Sequence, residues 1–440
     1  MKLTVAGRIY NRCLLNICTL VLLFTSFNTS ALPSFTRQTG VACNQCHTQS
    51  FGPNLTPFGR SFKLNGYVQG GASGLAEKLP PLSGIVQGTF THTDKGQDGL
   101  PAEFNKNDNF TFDQASLFYA GRIYGKTGAF SQLTYDGVAH AVALDNTDIR
   151  YADQLDLDDL QLSYGISLNN NPTVQDLWNS TPAWGFPFNG SALQPAPGAT
   201  AIIDGVLGSQ VGGATAYALI NDLVYLEAGA YDSFSTSFQR SFGIGAADRI
   251  RLDGPAPYWR VALQKNWQGH YFSVGHYGLK ASLFPGRDAS EGADRYTDVA
   301  FDANYQYLGN LKHIFEVRTT FIYEDQNLAP ARSSGVNTYL NTFKFNTAYT
   351  YEQTYGVTFA YNKIDGSNDS AIYANNRPNS EYLTAELVYV PFGKSTSTSL
   401  LGSLLNLRMS LQYIGYTQFD NVGQSANANN TFMLNGWLAF

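Results

Sequence analysis

Cys43-Asn-Gln-Cys46-His47 sets two thiols three residues apart and an imidazole directly after the second. The spacing is C-x-x-C-H, the attachment sequence for a covalently bound c-type haem. In that chemistry the two thiols add across the haem vinyl groups. The adjacent imidazole, His47, reaches the iron as proximal ligand. A local disulfide or a thioredoxin-like pair is the alternative for two close cysteines in an oxidising compartment. A zinc site is a further one, although no second Cys/His pair has ligand spacing.

The chain has 440 residues and four cysteines, and Cys13 and Cys18 fall in an N-terminal apolar stretch. That stretch begins basic (Lys2, Arg8, Arg12), runs apolar from Cys13 to about Phe27, and leaves through Thr29-Ser30-Ala31. It reads as a secretory signal peptide over residues 1–31, too short and too polar-flanked for a spanning helix. Asn16-Ile17 before Cys18 does not fit a lipoprotein signal. The exported chain then keeps Cys43 and Cys46, in an expected haem segment over 32–79.

Composition describes what must hold that segment. Charged residues are 14% of the chain, against a usual quarter, while aromatics reach 14% and Gly numbers 42. After the leader no segment has about 18 consecutive apolar residues, so spanning by helix is excluded. Few charges, many aromatics and no spanning helix point to an all-β transmembrane barrel over 80–440. The net charge is −6, or −9 without the three leader cations, so nucleic acid is not an expected partner.

Alternation fits either a soluble sandwich or a membrane barrel, and the Tyr and Phe residues near strand ends favour the barrel. Val299, Phe301, Ala303, Tyr305 and Tyr307 share one face of a strand, and Asp302, Asn304 and Gln306 share the other. After Gly309-Asn310, Phe315, Val317, Thr319, Phe321 and Tyr323 alternate with Glu316, Arg318 and Glu324. Similar runs predict strands near 82–92, 112–124, 128–136, 147–153, 157–168, 210–220, 223–232 and 257–267. Others are predicted near 270–281, 297–308, 311–324, 339–351, 355–365, 380–391, 404–419 and 432–440. That is about sixteen strands, an even count, with tight turns alternating with long loops as in outer-membrane barrels. The last strand ends in an aromatic, Phe440, which resembles the assembly signal of bacterial outer-membrane proteins.

Two blocks flank the haem motif: Leu32-Pro-Ser-Phe-Thr-Arg-Gln-Thr-Gly40 and Leu55-Thr-Pro-Phe-Gly-Arg-Ser-Phe-Lys-Leu-Asn-Gly-Tyr67. With the motif they resemble the N-terminus of the fused cytochrome–porin family of bacterial outer membranes, whose best-known members are iron-oxidising cytochromes c. The resemblance continues in patches at 145–152, 169–178 and 182–187. It implies one haem c on a barrel in the outer membrane. It further implies electrons taken from extracellular ferrous iron and passed to a periplasmic c-type cytochrome or similar carrier. A haem-bearing diffusion porin, and outward electron flow to external acceptors, remain the competing readings.

Other candidate residues follow from position. Phe35, Phe51, Phe58, Phe62 and Tyr67 offer apolar cover for a haem, which raises its potential by excluding water. Arg37, Arg60 and Lys63 could pair with haem propionates or lumen carboxylates, or be solvated. For a distal ligand, Met433 has lumen parity and Met409 has lipid parity. His92, His140, His270, His276 and His313 read as ordinary barrel side chains. Asp145 and Asp148, beside an external loop, suit a hard ferrous ion better than Asp156, Asp158 and Asp159 at a periplasmic turn. The loop 169–209 carries Trp178, Trp184, Phe186 and Phe188 and is expected to fold over or into the mouth.

Overall fold

The computed structural model describes residues 33–70, 79–245, 250–332, 338–394 and 405–440. The leader expected over 1–31, with Cys13 and Cys18, lies outside the described residues. One antiparallel sheet of seventeen strands runs through the described chain, one of them only the two residues Arg251–Leu252. The other sixteen form a closed barrel. Each pairs with its sequence neighbours, and the first strand, Leu82–Thr93, pairs with the last, Thr431–Ala439, through Val86↔Leu438. No helix among the described residues is long and apolar enough to cross a membrane.

Burial settles the choice that alternation left open between sandwich and barrel. On the strand His313–Asn327, Phe315, Phe321 and Tyr323 are exposed, while Glu316, Arg318, Thr320 and Glu324 are buried. Apolar residues face out and polar ones face in, the inverse of a soluble sheet, because the outer face meets lipid.

The turns at one end are tight and have a local cause. Asn221 and Asp222 both adopt left-handed φ (51° each), as do Gln268 and Gly269 (46° and 83°) and Glu352 and Gln353 (48° and 51°). Consecutive left-handed residues are what a two-residue hairpin needs to match strand twist. Both ends of the barrel sheet lie on this side, which is the periplasmic one for an even-stranded barrel. The sixteen expected strands are all present. The one expected at 147–153 is much longer, Ala141–Leu157, because its pairing with Leu160–Asn169 and Thr127–Asp136 overrides a run of poor strand formers.

Candidate functional site

Residues 33–70 sit inside the barrel as three short helices, Pro33–Thr39, Cys43–Cys46 and Pro57–Leu64. The third starts where the sequence dictates. Pro57 opens its first turn, and Thr56 caps it by accepting a hydrogen bond from Gly59 N at 3.2 Å. Between the second and third helices, His47 and Leu55 form an antiparallel bridge.

Cys43, Cys46 and His47 face one cavity of about 420 Å³ between this segment and the barrel wall. Phe35, Phe51, Phe62 and Tyr67 line it from the segment, Phe118, Phe130 and Trp437 from the wall, and Trp184 from the long loop. Its size falls in the range of small-molecule and cofactor pockets. Burial pushes His47 down to about 4, so the imidazole is neutral and able to ligate, and pushes Cys46 up to about 12. His47 Nδ1 is buried without a hydrogen-bond partner. Two thiols, a neutral imidazole and an aromatic cavity on one side of them fit a covalently held haem.

The barrel wall grips this segment at several points. Gln353 donates to the carbonyls of Asn44 (2.8 Å) and His47 (3.3 Å). Asn406 donates to Ser50 O at 2.9 Å and approaches Cys43 Sγ at 3.7 Å. Glu316 accepts from Thr48 Oγ1 at 2.7 Å and Asn54 Nδ2 at 3.2 Å. Sequence reading gave these three residues no role; only strand parity marked Glu316 as facing the lumen.

The basic residues divide. Lys63 lines the cavity, with Nζ on Val174 O (2.8 Å) and Asn179 Oδ1 (2.9 Å) and lying 4.7 Å from the Trp184 ring. Arg60 lies outside the lining, donates to Leu55 O (2.7 Å) and Gln306 Oε1 (2.8 Å), and stacks 3.5 Å over the Tyr271 ring. Arg37 binds the Leu82 carbonyl. Of the three cations, Lys63 is the one in place for a carboxylate in the cavity.

Met433 does face the lumen, fully buried, but packs with Ile414, Tyr416 and Ala426. It stands four residues toward the external rim from Trp437, roughly 13 Å along the strand, and does not line the cavity. Parity gave its face; only the third dimension gives its level. Phe58 is 40% exposed and covers nothing in the cavity.

The barrel histidines are engaged elsewhere. His276 Nδ1 lies 3.0 Å from Ala300 O and its Nε2 accepts from Trp259 at 2.9 Å. His270 and His313 meet tyrosine hydroxyls (2.8 and 2.7 Å), His92 meets Asp108 (2.6 Å) and His140 meets Glu103 (3.1 Å).

Asp145 lines the cavity, where Thr134 Oγ1 donates to it at 3.1 Å. Asp148 instead is locked by Arg150, Tyr67 and Ser167, each at 2.7 Å. Asp156, Asp158 and Asp159 are exposed at the periplasmic turn. No group of three or more His, Cys, Asp or Glu among the described residues is arranged to hold a metal ion.

The loop between Leu160–Asn169 and Val211–Ile220 folds into the lumen rather than over it. Trp178 is fully buried. Ser180 Oγ donates to Asp302 Oδ2 (2.5 Å), Ile203 N to Asp298 Oδ2 (2.7 Å), and Lys344 Nζ to Asp204 Oδ2 (2.5 Å). Arg260 ties the loop's Asp176 (3.3 Å) to the wall's Asp302 (2.9 Å). With the N-terminal segment on the periplasmic side, this loop covers the lumen-facing side chains, so that Asn304, Gln306 and Glu324 have no exposure.

No protein-family model matches the chain, and neither does any curated protein sequence. Solved structures similar to it include the anion-selective porin from Comamonas acidovorans, at 14% identity and TM-score 0.45, covering 81% of this chain and 98% of that one. Pseudomonas putida OprB is 12% identical with TM-score 0.48, covering 82% and 93%. The channel DcaP of Acinetobacter baumannii is 10% identical with TM-score 0.45, covering 82% and 96%. The described strands themselves form a closed sixteen-strand antiparallel barrel.

Proposed function

We propose that this protein is an outer-membrane electron conduit. It would take single electrons from a donor outside the cell, with ferrous iron the substrate, and deliver them to a periplasmic carrier. The observation that carries the reading is the placement of Cys43, Cys46 and His47 on one aromatic cavity within the lumen. Haem c, when bound, supplies a one-electron ferric/ferrous couple. Cys43 and Cys46 would hold it by thioether bonds and His47 by ligation. Phe35, Phe51 and Phe62 keep water from that space, and Lys63, protonated below about pH 7, offers an ammonium to a carboxylate there. A hydrocarbon core of about 30 Å is too thick for direct transfer, which is why a redox group inside the wall is useful.

A second reading, a diffusion porin with a haem in its lumen, is favoured by the barrel itself with its short periplasmic turns and long external loops. The buried lumen side chains weigh the other way. Rapid mixing of the purified protein with ferrous iron separates the two. The conduit reading expects a reduced haem spectrum within the mixing time and little ion conductance in a planar bilayer. Reduction by dithionite but not by iron at any pH, with steady conductance, would establish the porin.

A further inference from the structure

Glu316 is a wall carboxylate with 1% exposure, 268 residues along the chain from Thr48. One of its oxygens accepts from Thr48 Oγ1 (2.7 Å) and Asn54 Nδ2 (3.2 Å). The other accepts from Gln306 Nε2 (2.8 Å) and lies 3.4 Å from Arg318 Nη2. The Gln306 amide also reaches Leu55 O at 3.0 Å, the carbonyl that Arg60 holds. Thr48, Asn54 and Leu55 make the two sides of the bridged turn that begins at His47, where Thr48 N donates to Asn54 O at 3.2 Å. Glu316 therefore anchors both sides of that turn to the wall.

His47 Nδ1 is buried with no hydrogen-bond partner, and Asn54, whose carbonyl accepts from Thr48 N at 3.2 Å, lies on the side of the bridged turn opposite His47. A ligating imidazole is oriented and made more basic when its second nitrogen donates to a carbonyl or carboxylate. A buried charge close to a redox centre acts through a weakly screening medium. We propose that Glu316 is a positioning residue for the proximal ligand: it holds Asn54 where its carbonyl can take the His47 N–H, and its charge favours the oxidised iron. This rests on the haem reading of the cavity.

The test compares wild type, Glu316→Gln and Thr48→Val by spectroelectrochemical titration of the full-length protein in detergent. Glu316→Gln keeps the side-chain volume but removes the charge. Its potential is expected to rise, so that the ferric-to-ferrous ratio at a fixed poise falls about tenfold, or 59 mV for one electron. Thr48→Val removes a single donor and should shift the potential less, with altered ligand-field bands, and it keeps the test available if Glu316→Gln does not assemble. Haem-bearing variants with wild-type potential and bands, merely less heat-stable, would make Glu316 a structural brace and overturn the proposal alone. A wild-type protein without covalent haem would overturn the reading of the cavity and this proposal with it.

Discussion

Gly59 lies directly against the carbonyl of Cys46: a Cβ at position 59 would overlap Cys46 O and come within 3.1 Å of the Leu55 side chain. The contact lets the helix Pro57–Leu64 press on the short helix that carries both cysteines. Any side chain at 59 must push the two helices apart. Gly59→Ala is expected to cost about 1–3 kcal/mol by overpacking and to lower the haem covalently attached per barrel. Haem staining normalised to protein, with the half-buried Ser61→Ala as control, checks it; equal staining would mean the two helices separate without consequence.

The barrel and the motif were legible in the sequence; what joins them was not. Period-two alternation gives each strand's faces, so Glu316, Arg318 and Glu324 share the polar face in the sequence, and burial shows that face to be the lumen. Alternation says nothing of level, and so Met433 has the expected face but sits too near the external rim. The clamps on the N-terminal segment from Glu316, Gln353 and Asn406 join residues about 300 positions apart, and no local pattern encodes such a pairing. The helix Thr236–Ser241 was missed because a six-residue helix has too few turns to display a period. Trp178, Trp184, Phe186 and Phe188 together are too apolar for a solvated tip, which points to a loop over or into the mouth. That it goes in rather than over is set by its contacts with the wall, such as Arg260 with Asp176 and Asp302.

If the cysteines anchor a haem, each should be individually required for one thioether bond. Cys43→Ala and Cys46→Ala are each expected to leave a single-thioether haem or none, with a shifted reduced α band, and the double variant to leave no covalent haem. Intact mass of the denatured protein reads this directly. A wild-type mass equal to that of the bare polypeptide would remove the motif's assigned role.

Arg260 is the tie between the infolded loop and the wall. Its guanidinium makes two bonds of 2.9 Å to Asp302 and lies 3.3 Å from Asp176, with all three groups buried. Removing one member of such a cluster leaves an uncompensated buried charge, at a cost of about 3–5 kcal/mol. Arg260→Met should therefore release the loop from the wall and raise single-channel conductance above a low wild-type level. Conductance unchanged from wild type would show that other contacts, such as Lys344 with Asp204, hold the loop without it.

Lys63 gives the N-terminal segment a pH dependence of definite sign. Burial lowers its ammonium to about 7 from the ordinary 10.5. Between those values an unfolded lysine carries a proton that the folded one lacks, so stability rises with pH across that window, by at most about 1.4 kcal/mol per unit. Below pH 7 both states are charged, the slope vanishes, and the folded state must keep an ammonium out of water. Heat or denaturant midpoints of the segment should therefore rise from pH 7 to 10, and Lys63→Met should flatten the profile. Because Nζ lies 4.7 Å from the Trp184 ring, Trp184 fluorescence should titrate with a midpoint near 7, and this transition should be absent in both Lys63→Met and Trp184→Phe. A flat wild-type profile over pH 7–10 would place the charged amine in the folded state throughout, held there by the Val174 carbonyl and Asn179.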